Sequence, residues 1–220
     1  MSLETLRSRL MERLAPVDSW RPGGLAPRSD FDLNPTMRRP AMDLRPAAVL
    51  VPVLARSEGA TVLLTRRSDT LASHTGQIAF PGGRLDPGED AVMAALREAD
   101  EEVGLDPQTV EVLGLSDPYE TVTSFLVTPV VGWLSAPPQL TPSPAEVAEV
   151  FETPWDFLMD AANHRRDFHD LDAETRRWFW AMPWGERYIW GATAGILKGL
   201  QGRLYGDEAL AEIAAGEDAA

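Results

Sequence analysis

The chain has 220 residues, of which 44% are hydrophobic and 25% charged, proportions that are ordinary for a globular protein. Its net charge of −14 argues against a non-specific nucleic-acid binder, because a polyanion would be repelled. It has no cysteine, which excludes disulfides and thiolate metal sites and fits a cytoplasmic protein. No apolar run approaches the roughly 20 residues that cross a bilayer, so a membrane is not an expected partner. Because of the net charge, nucleic acid is not an expected partner either.

The N-terminal part predicts a helix followed by an irregular arm. Residues 2–14 carry leucines at helical spacing, which predicts a short amphipathic helix. Five prolines between Ala15 and Arg45 indicate a linker or a strap packed over the domain. We therefore expect an N-terminal helix and arm over residues 1–45, one compact domain over residues 46–206, and an acidic tail over residues 207–220.

The compact domain predicts strands with a few interspersed helices. The predicted strands are "AAVLVPVLAR", "TVLLTRR", "QIAF", "TVEVLGL", "FLVTPVVGWL" and "RRWFWAMPW". Pro129 inside the fifth favours an edge position or a bulge. The predicted helices are "EDAVMAALREADEEVG" with Gly104 as its C-cap, "WDFLMDA" and "YIWGATAGILKGLQGRL", and "PPQLTPSPAEVAEV" is interpreted as a proline-rich loop followed by an acidic segment. This pattern indicates an α/β fold with a mixed sheet between helices.

The first of these helices carries a stripe of like charge. Glu98, Glu101 and Glu102 follow the i, i+3, i+4 rule and share one face, where each like pair costs a few tenths of a kcal/mol. A solvated helix face is the ordinary interpretation of such a cluster. A divalent metal would offset the repulsion best, and hard carboxylate oxygens suit Mg²⁺ or Mn²⁺.

The spacing around the stripe is more specific. Gly83, five residues, Glu89, seven residues and then Arg97-Glu98-Ala99-Asp100-Glu101-Glu102-Val103-Gly104-Leu105 resembles the Nudix box, G-x5-E-x7-R-E-U-x-E-E-x-G-U. Only Ala99, smaller than the usual aliphatic residue, departs from the pattern. The resemblance implies the Nudix α/β/α sandwich with a catalytic loop-helix-loop. It also implies hydrolysis of a nucleoside diphosphate linked to another group.

The resemblance also implies roles for the residues of the box. Glu98 and Glu102 correspond to the principal metal ligands, with Glu101 as a further ligand or supporting acid. The backbone at Gly83 is expected to approach the metal or phosphate closely, which glycine permits.

Further residues support the box or contribute a base. Glu89, Arg97 and Gly104 correspond to structural supports, and Arg97 can also contact substrate. The base that accepts the proton of the attacking water is Glu98 or an acid of the later loop, Glu146 or Glu149.

The residues before the box suggest a substrate. "LLTRRSDTLASHTGQIAFPGG" resembles the signature of the coenzyme A pyrophosphatase branch, L-L-T-x-R-S-x3-R-x3-G-x3-F-P-G-G. That branch implies cleavage of coenzyme A to 3′,5′-ADP and 4′-phosphopantetheine. Arg66, Arg67 and Arg84 are the cations available for the phosphates, and His74 is a further candidate contact. The second arginine of the signature is Ala72 here, which favours ADP-ribose or a dinucleotide as the alternative substrate.

Two other interpretations stay open. A Nudix-fold module could bind a nucleotide without cleaving it, although the intact acidic stripe favours an enzyme. The aromatic segment could form a stacking platform or, as is more common, part of the core or of a homodimer interface. Its aromatic residues are Trp178, Phe179, Trp180, Trp184, Tyr188 and Trp190.

Overall fold

The computed structural model describes residues 1–23, 26–38, 44–68, 76–172 and 174–206, so the predicted tail lies outside the described residues. Its helices are α1 (Leu3–Arg13), α2 (Ala91–Val103), α3 (Trp155–Met159) and α4 (Ala192–Tyr205). Its strands are β1 (Arg28–Ser29), β2 (Arg45–Arg56), β3 (Gly59–Arg67), β4 (Ile78–Ala79), β5 (Gly82–Arg84), β6 (Glu111–Leu115), β7 (Tyr119–Glu120), β8 (Phe125–Leu134), β9 (Val147–Pro154), β10 (Arg165–Asp170), β11 (Arg176–Trp184) and β12 (Arg187–Trp190). No helix in the described ranges combines the length and hydrophobicity that a membrane span requires.

The main sheet is mixed, as the sequence predicted, and it has nine strands. Its order is β1-β7-β8-β2-β3-β4, with β5 paired to β2, β6 to β8 and β9 to β3. The β2–β8 and β1–β7 pairs are parallel and the other pairs are antiparallel. The sheet therefore has one parallel pair at its centre, β2–β8, and a second, short one at its edge, β1–β7.

Helices cover both faces of this sheet, which confirms the α/β architecture. On one face α2 buries its alanine stripe, Ala91, Ala94, Ala95 and Ala99, against Ala48 and Leu50 of β2. On the other face lie α1, α3 and α4 with a second, three-stranded sheet of order β10-β11-β12. The small alanine side chains let α2 approach the sheet closely, and this brings its glutamates to the sheet edge at β5.

The prediction for Pro129 was wrong, because β8 is an interior strand. It pairs with β2 on one side and with β6 and β7 on the other. The Pro129 carbonyl accepts a hydrogen bond from the Ser116 amide, 2.9 Å away, in the gap between β6 and β7. Since the amide and carbonyl of one strand residue point to the same side, the proline lacks its N–H where no ladder bond is needed. The register shift lies in β6, between Val112 and Gly114.

Two segments were assigned wrongly from sequence. The acidic segment after the proline-rich loop is strand β9, which pairs with β3 from Thr61↔Pro154 to Arg67↔Val147. The predicted last helix is shorter, because residues 188–190 belong to strand β12 and α4 begins only at Ala192. Gly191, with φ +64°, makes the turn between them, a conformation that glycine adopts without strain.

The described part of the N-terminal arm packs as a strap over the domain. Leu6, Leu10 and Leu14 are buried in the core that α4 also contributes to. Further along, the Asp30 carboxylate accepts hydrogen bonds from the Tyr119 hydroxyl at 3.0 Å and from the Val122 amide at 2.8 Å. Burial raises the pKa of Asp30 in spite of these donors.

The aromatic segment is divided between core and surface. Phe179 is buried, and Trp180 and Trp184 pack against the core. Trp178 and Tyr188 are exposed on the three-stranded sheet. The stacking platform and the homodimer interface therefore both stay predictions.

Candidate active site

The loop before α2 brings main chain against a carboxylate. Strand β5 pairs with β2 at Val49↔Gly82 and Ala48↔Gly83. A Cβ atom added to Gly83 would lie 2.3 Å from Oε1 of Glu98, so a side chain there would displace the carboxylate. Gly83 therefore allows a contact between backbone and Glu98 that other residues would prevent.

Arg97 joins the supporting residues of the helix. Its Nε and Nη2 atoms donate to the two carboxylate oxygens of Glu89, at 2.8 and 3.0 Å. The hydrogen bond from Arg97 lowers the pKa of Glu89. Nη1 of Arg97 donates to Glu98 and to Glu101, both at 3.0 Å. Nη2 also reaches the Arg84 carbonyl, at 3.1 Å, so one guanidinium ties α2 to the loop at both ends.

The three stripe glutamates differ in burial. The Glu101 side chain is 59% exposed and Glu98 only 19% exposed. Burial raises the pKa of Glu98, and the charges of Glu101 and Glu146 add to this. Glu102 is 6% exposed, and its burial raises its pKa to about 7. Glu98 and Glu102 are thus two carboxylates held out of water close to like charge, while Glu101 lies at the rim.

A later loop is tied to the end of α2 and carries the predicted acid Glu146. The Thr141 amide donates to the Val103 carbonyl at 2.8 Å, and the Ser143 amide donates to the Glu102 carbonyl at 2.9 Å. The Ser143 carbonyl accepts from the Glu146 amide at 3.0 Å. These bonds satisfy carbonyls that a helix end leaves unpaired, and they bring Glu146 within electrostatic reach of Glu98 and Glu102.

Gly104 ends α2 as predicted. It has φ +67° and its amide bonds back to the Ala99 and Asp100 carbonyls. A Cβ there would lie 2.9 Å from the Thr141 amide nitrogen. The glycine therefore serves both the helix cap and the close approach of the loop.

Glu149, the other candidate base, lies in a different environment. It faces Arg66 across the β3–β9 pair, with the Arg66 Nε 3.7 Å away, and it also forms an ion pair with Arg187. Glu149 is thus engaged with two arginines, whereas the charge of Glu146 raises the pKa of both Glu98 and Glu102.

The predicted substrate cations also separate. Arg67 lies beside Glu102 and lowers its pKa, and the Arg67 Nε is buried without a hydrogen-bond partner among the described residues. Arg84 is exposed beside the loop. His74 and Ala72 lie outside the described residues. Sequence reasoning missed Arg45, which lies next to Arg84, because it falls at the boundary assigned to the arm.

The donor set fits a hard divalent cation. Within the described ranges, no three acidic or histidine side chains form a preassembled metal cage. Mg²⁺ is commonly bound through one or two carboxylates together with substrate phosphates, and Mn²⁺ also favours oxygen ligands. The buried pair Glu98 and Glu102, open to the glycine loop, matches that mode of binding.

Known proteins share this arrangement of sequence. A family model described as "NUDIX domain" matches residues 44–179. Relatives from Cronobacter sakazakii and Escherichia coli, both named "Uncharacterized Nudix hydrolase NudL", are 45% identical over 173 residues and 44% identical over 175 residues. Each match covers 76% of this chain and 87% of the relative. A solved Ap4A hydrolase from C. elegans is similar with a TM-score of 0.45 and 24% identity, over 52% of this chain and 82% of that one.

Proposed function

This chain belongs to the Nudix hydrolase family, which acts on pyrophosphate bonds, and we propose that it cleaves the diphosphate of coenzyme A or its derivatives with Mg²⁺ or Mn²⁺. Enzymes of the family generally need such divalent ions. The proposed products are 3′,5′-ADP and 4′-phosphopantetheine. The proposed site is the edge of the sheet where β5, the C-terminal half of α2 and the loop of residues 141–146 meet.

The proposed function is supported most strongly by the two carboxylates Glu98 and Glu102. Both carboxylates are withdrawn from water, and each has like charge nearby. Any side chain at position 83 would collide with the Glu98 carboxylate, so glycine is needed there. Like charges arranged this way are stabilised by a cation, which supports assigning Glu98 and Glu102 as its ligands, with Glu101 at the rim as a supporting acid.

The surrounding residues are proposed to supply the base and to hold the loop and helix in place. A bound divalent cation would neutralise diphosphate oxygens and make a water molecule more acidic. Glu146 is exposed and its charge raises the pKa of Glu98 and Glu102, which supports it as the group that accepts the proton of the attacking water. Glu89 and Arg97 hold the loop and helix in register, because Arg97 bridges Glu89 to the Arg84 carbonyl.

The substrate proposal depends on the segment before the box. Leu63-Leu64-Thr65, Arg67-Ser68, Gly76 and Phe80 to Gly83 match the coenzyme A pyrophosphatase signature. Arg67, beside Glu102, is placed to contact a phosphate near the carboxylates. The difference at Ala72 favours a second candidate, a Nudix hydrolase that cleaves ADP-ribose or a dinucleotide.

Product analysis tests the proposal. Coenzyme A, dephospho-coenzyme A, ADP-ribose and a diadenosine polyphosphate are incubated in parallel with Mg²⁺ or Mn²⁺ and resolved by chromatography and mass spectrometry. Preferential release of 3′,5′-ADP and 4′-phosphopantetheine is expected. A Glu98→Gln preparation purified identically controls for contaminating phosphatases. Preferential cleavage of ADP-ribose or the diadenosine would replace coenzyme A, and no product from any of the four would favour a binding module.

A further inference from the structure

Two arginines beside the catalytic loop share one aromatic ring. The Cζ atom of Arg45 lies 4.0 Å from the ring centroid of Phe125, and the Cζ atom of Arg84 lies 6.0 Å from the same centroid. Arg45 begins β2 directly opposite Phe125 at the start of β8, and Arg84 pairs with Ala47 of β2. The backbone register therefore fixes all three residues at one end of the sheet.

Among the residues that the structure describes, neither arginine forms an ion pair with a carboxylate. Within the same ranges Arg45 donates one side-chain hydrogen bond, to the Thr123 carbonyl at 2.8 Å. The neighbouring Arg38, in contrast, is paired with Glu120 at 3.0 Å. Two guanidinium groups over one ring, in a chain of net charge −14, form a local cationic site that an anion would stabilise.

The pair lies next to the proposed reaction centre. Arg84 directly follows Gly83, whose main chain touches Glu98, and the Arg84 carbonyl accepts a hydrogen bond from Arg97. The other predicted cations lie at different places, since Arg66 faces Glu149 and Arg67 lies beside Glu102. A substrate with its diphosphate at Glu98 could therefore extend a second phosphate toward Arg45 and Arg84.

We propose that Arg45 and Arg84, held over Phe125, form a subsite for a phosphomonoester that lies outside the diphosphate being cleaved. Guanidinium forks suit phosphate oxygens, and a phosphomonoester carries about −1.5 to −2 charges at neutral pH. In coenzyme A this group is the 3′-phosphate of the ribose. The inference rests on the proposed function, and it makes the two arginines determinants of specificity for substrates that carry this phosphate.

A comparison of two substrates tests the subsite. The ratio of kcat/KM for coenzyme A to that for dephospho-coenzyme A, which lacks the 3′-phosphate, is measured in the wild type and in the Arg45→Gln, Arg84→Gln and double variants. The ratio is expected to fall about tenfold to hundredfold in the double variant, the range of a charge-assisted hydrogen bond. An unchanged ratio would overturn the proposal.

Arg176 offers a matched control. It lies 3.5 Å from the ring centroid of Phe168 on the three-stranded sheet, but it is paired with Asp170 at 2.8 Å. Arg176→Gln removes a stacked arginine of the same kind, and the ratio should remain at the wild-type value. A fall equal to that of the double variant would mean that general loss of positive charge, and not this subsite, changes the ratio.

Binding separates failure of the subsite from failure of the proposed function. If the wild type cleaves neither substrate, the proposed function fails, and calorimetric titration with 3′,5′-ADP and with 5′-AMP then decides the subsite. Tighter binding of 3′,5′-ADP to the wild type, lost in the double variant, would support it. Equal affinity for the two nucleotides would overturn it.

Discussion

Carboxylates of the candidate active site, on the β5 loop and α2, lie in two contrasting environments. Glu89 receives two hydrogen bonds from Arg97, which lowers its pKa. Glu102, on the other side, is buried near Glu98 and Glu146, and its pKa is raised to about 7. Glu89, whose charge is paired with Arg97, thus connects the loop to α2. Glu102, which is buried near other carboxylates, is available to bind a cation. Glu98, bonded to Arg97 but facing Gly83, connects the two regions.

The largest expected effect comes from neutralising the two carboxylates whose pKa values are raised by burial, Glu98 and Glu102. Glu98→Gln and Glu102→Gln should each lower turnover by at least about 100-fold, because each removes a proposed ligand of the divalent cation. The melting temperature should stay the same or rise, because a buried charge near other negative charges is removed. Steady-state kinetics and thermal melting check both results.

Glu89→Gln is the matched control, because it neutralises the carboxylate that is paired with Arg97. It breaks the two-point contact with Arg97 and should lower the melting temperature. If Glu102→Gln kept near-normal turnover, the assignment of the two regions would be wrong.

Substitutions at Gly82 and Gly83 should separate an effect on the candidate site from an effect on the stability of the fold. A Cβ at Gly83 meets the movable carboxylate of Glu98, so Gly83→Ala should lower turnover by about 100-fold with little change in melting temperature. A Cβ at Gly82 instead lies 2.5 Å from the Ala48 carbonyl oxygen and 2.6 Å from the Val49 Cα atom, which are backbone atoms. Gly82→Ala should therefore unfold at a lower temperature, with overpacking costing about 1–3 kcal/mol.

Melting curves and kinetics of these two variants, measured side by side, check the prediction. A Gly83→Ala protein that melts as early as Gly82→Ala would show that the loop, and not Glu98, responds to the added methyl group.

A smaller effect is expected where the later loop joins α2. Ser143→Pro removes the amide that donates to the Glu102 carbonyl, whereas Ser143→Ala keeps it. Because this bond helps to hold Glu146 near the carboxylate pair, the proline variant should lose about tenfold to hundredfold in kcat and the alanine variant little. In a Glu146→Gln background the proline should have a much smaller effect on kcat. Full additivity of the two changes would exclude a role for the loop through Glu146.

The smallest effect concerns a buried ionisable group away from α2. His164 is buried, its Nε2 atom lies 2.7 Å from the Leu158 carbonyl, and burial lowers its pKa below 6.5. The unfolded chain therefore binds a proton that the folded chain resists, so stability is present above pH 6.5 and is lost as the pH falls toward the folded pKa. The drop in melting temperature between pH 7 and pH 5 should be smaller in His164→Gln than in the wild type. The difference should be about 2–4 °C for each kcal/mol of stability that the histidine loses on acidification. Equal drops in the two proteins would assign the acid sensitivity to other groups.

Much of the fold could be predicted because its central elements carry strong local patterns. The apolar runs of β2, β3 and β8 and the alanine stripe of α2 each indicate their own structure. Strand β9 was missed because pairing with β3 makes it a strand, and its acidic segment alone does not show that partner. Pro129 was misassigned for the same reason, since the gap between β6 and β7 that accepts it depends on two other strands.

The candidate site was predictable to a similar degree. Helical spacing placed Glu98, Glu101 and Glu102 on one face, but only the sheet edge decides that Glu101 is exposed and Glu102 buried. The distinction between Glu146 and Glu149 depends on Arg66 and Arg187, which come from distant segments. The site that Arg45 and Arg84 form over Phe125 needs three strands to be brought together, and no short motif records it.

In the proposed site Glu98 and Glu102 hold a divalent cation and Glu89 does not. Binding of Mn²⁺ followed by electron paramagnetic resonance tests this directly, in the wild type, the Glu98→Gln/Glu102→Gln double variant and Glu89→Gln. We predict that the double variant loses the Mn²⁺ affinity of the wild type and that Glu89→Gln, when folded, retains it. Wild-type affinity in the double variant would contradict the account.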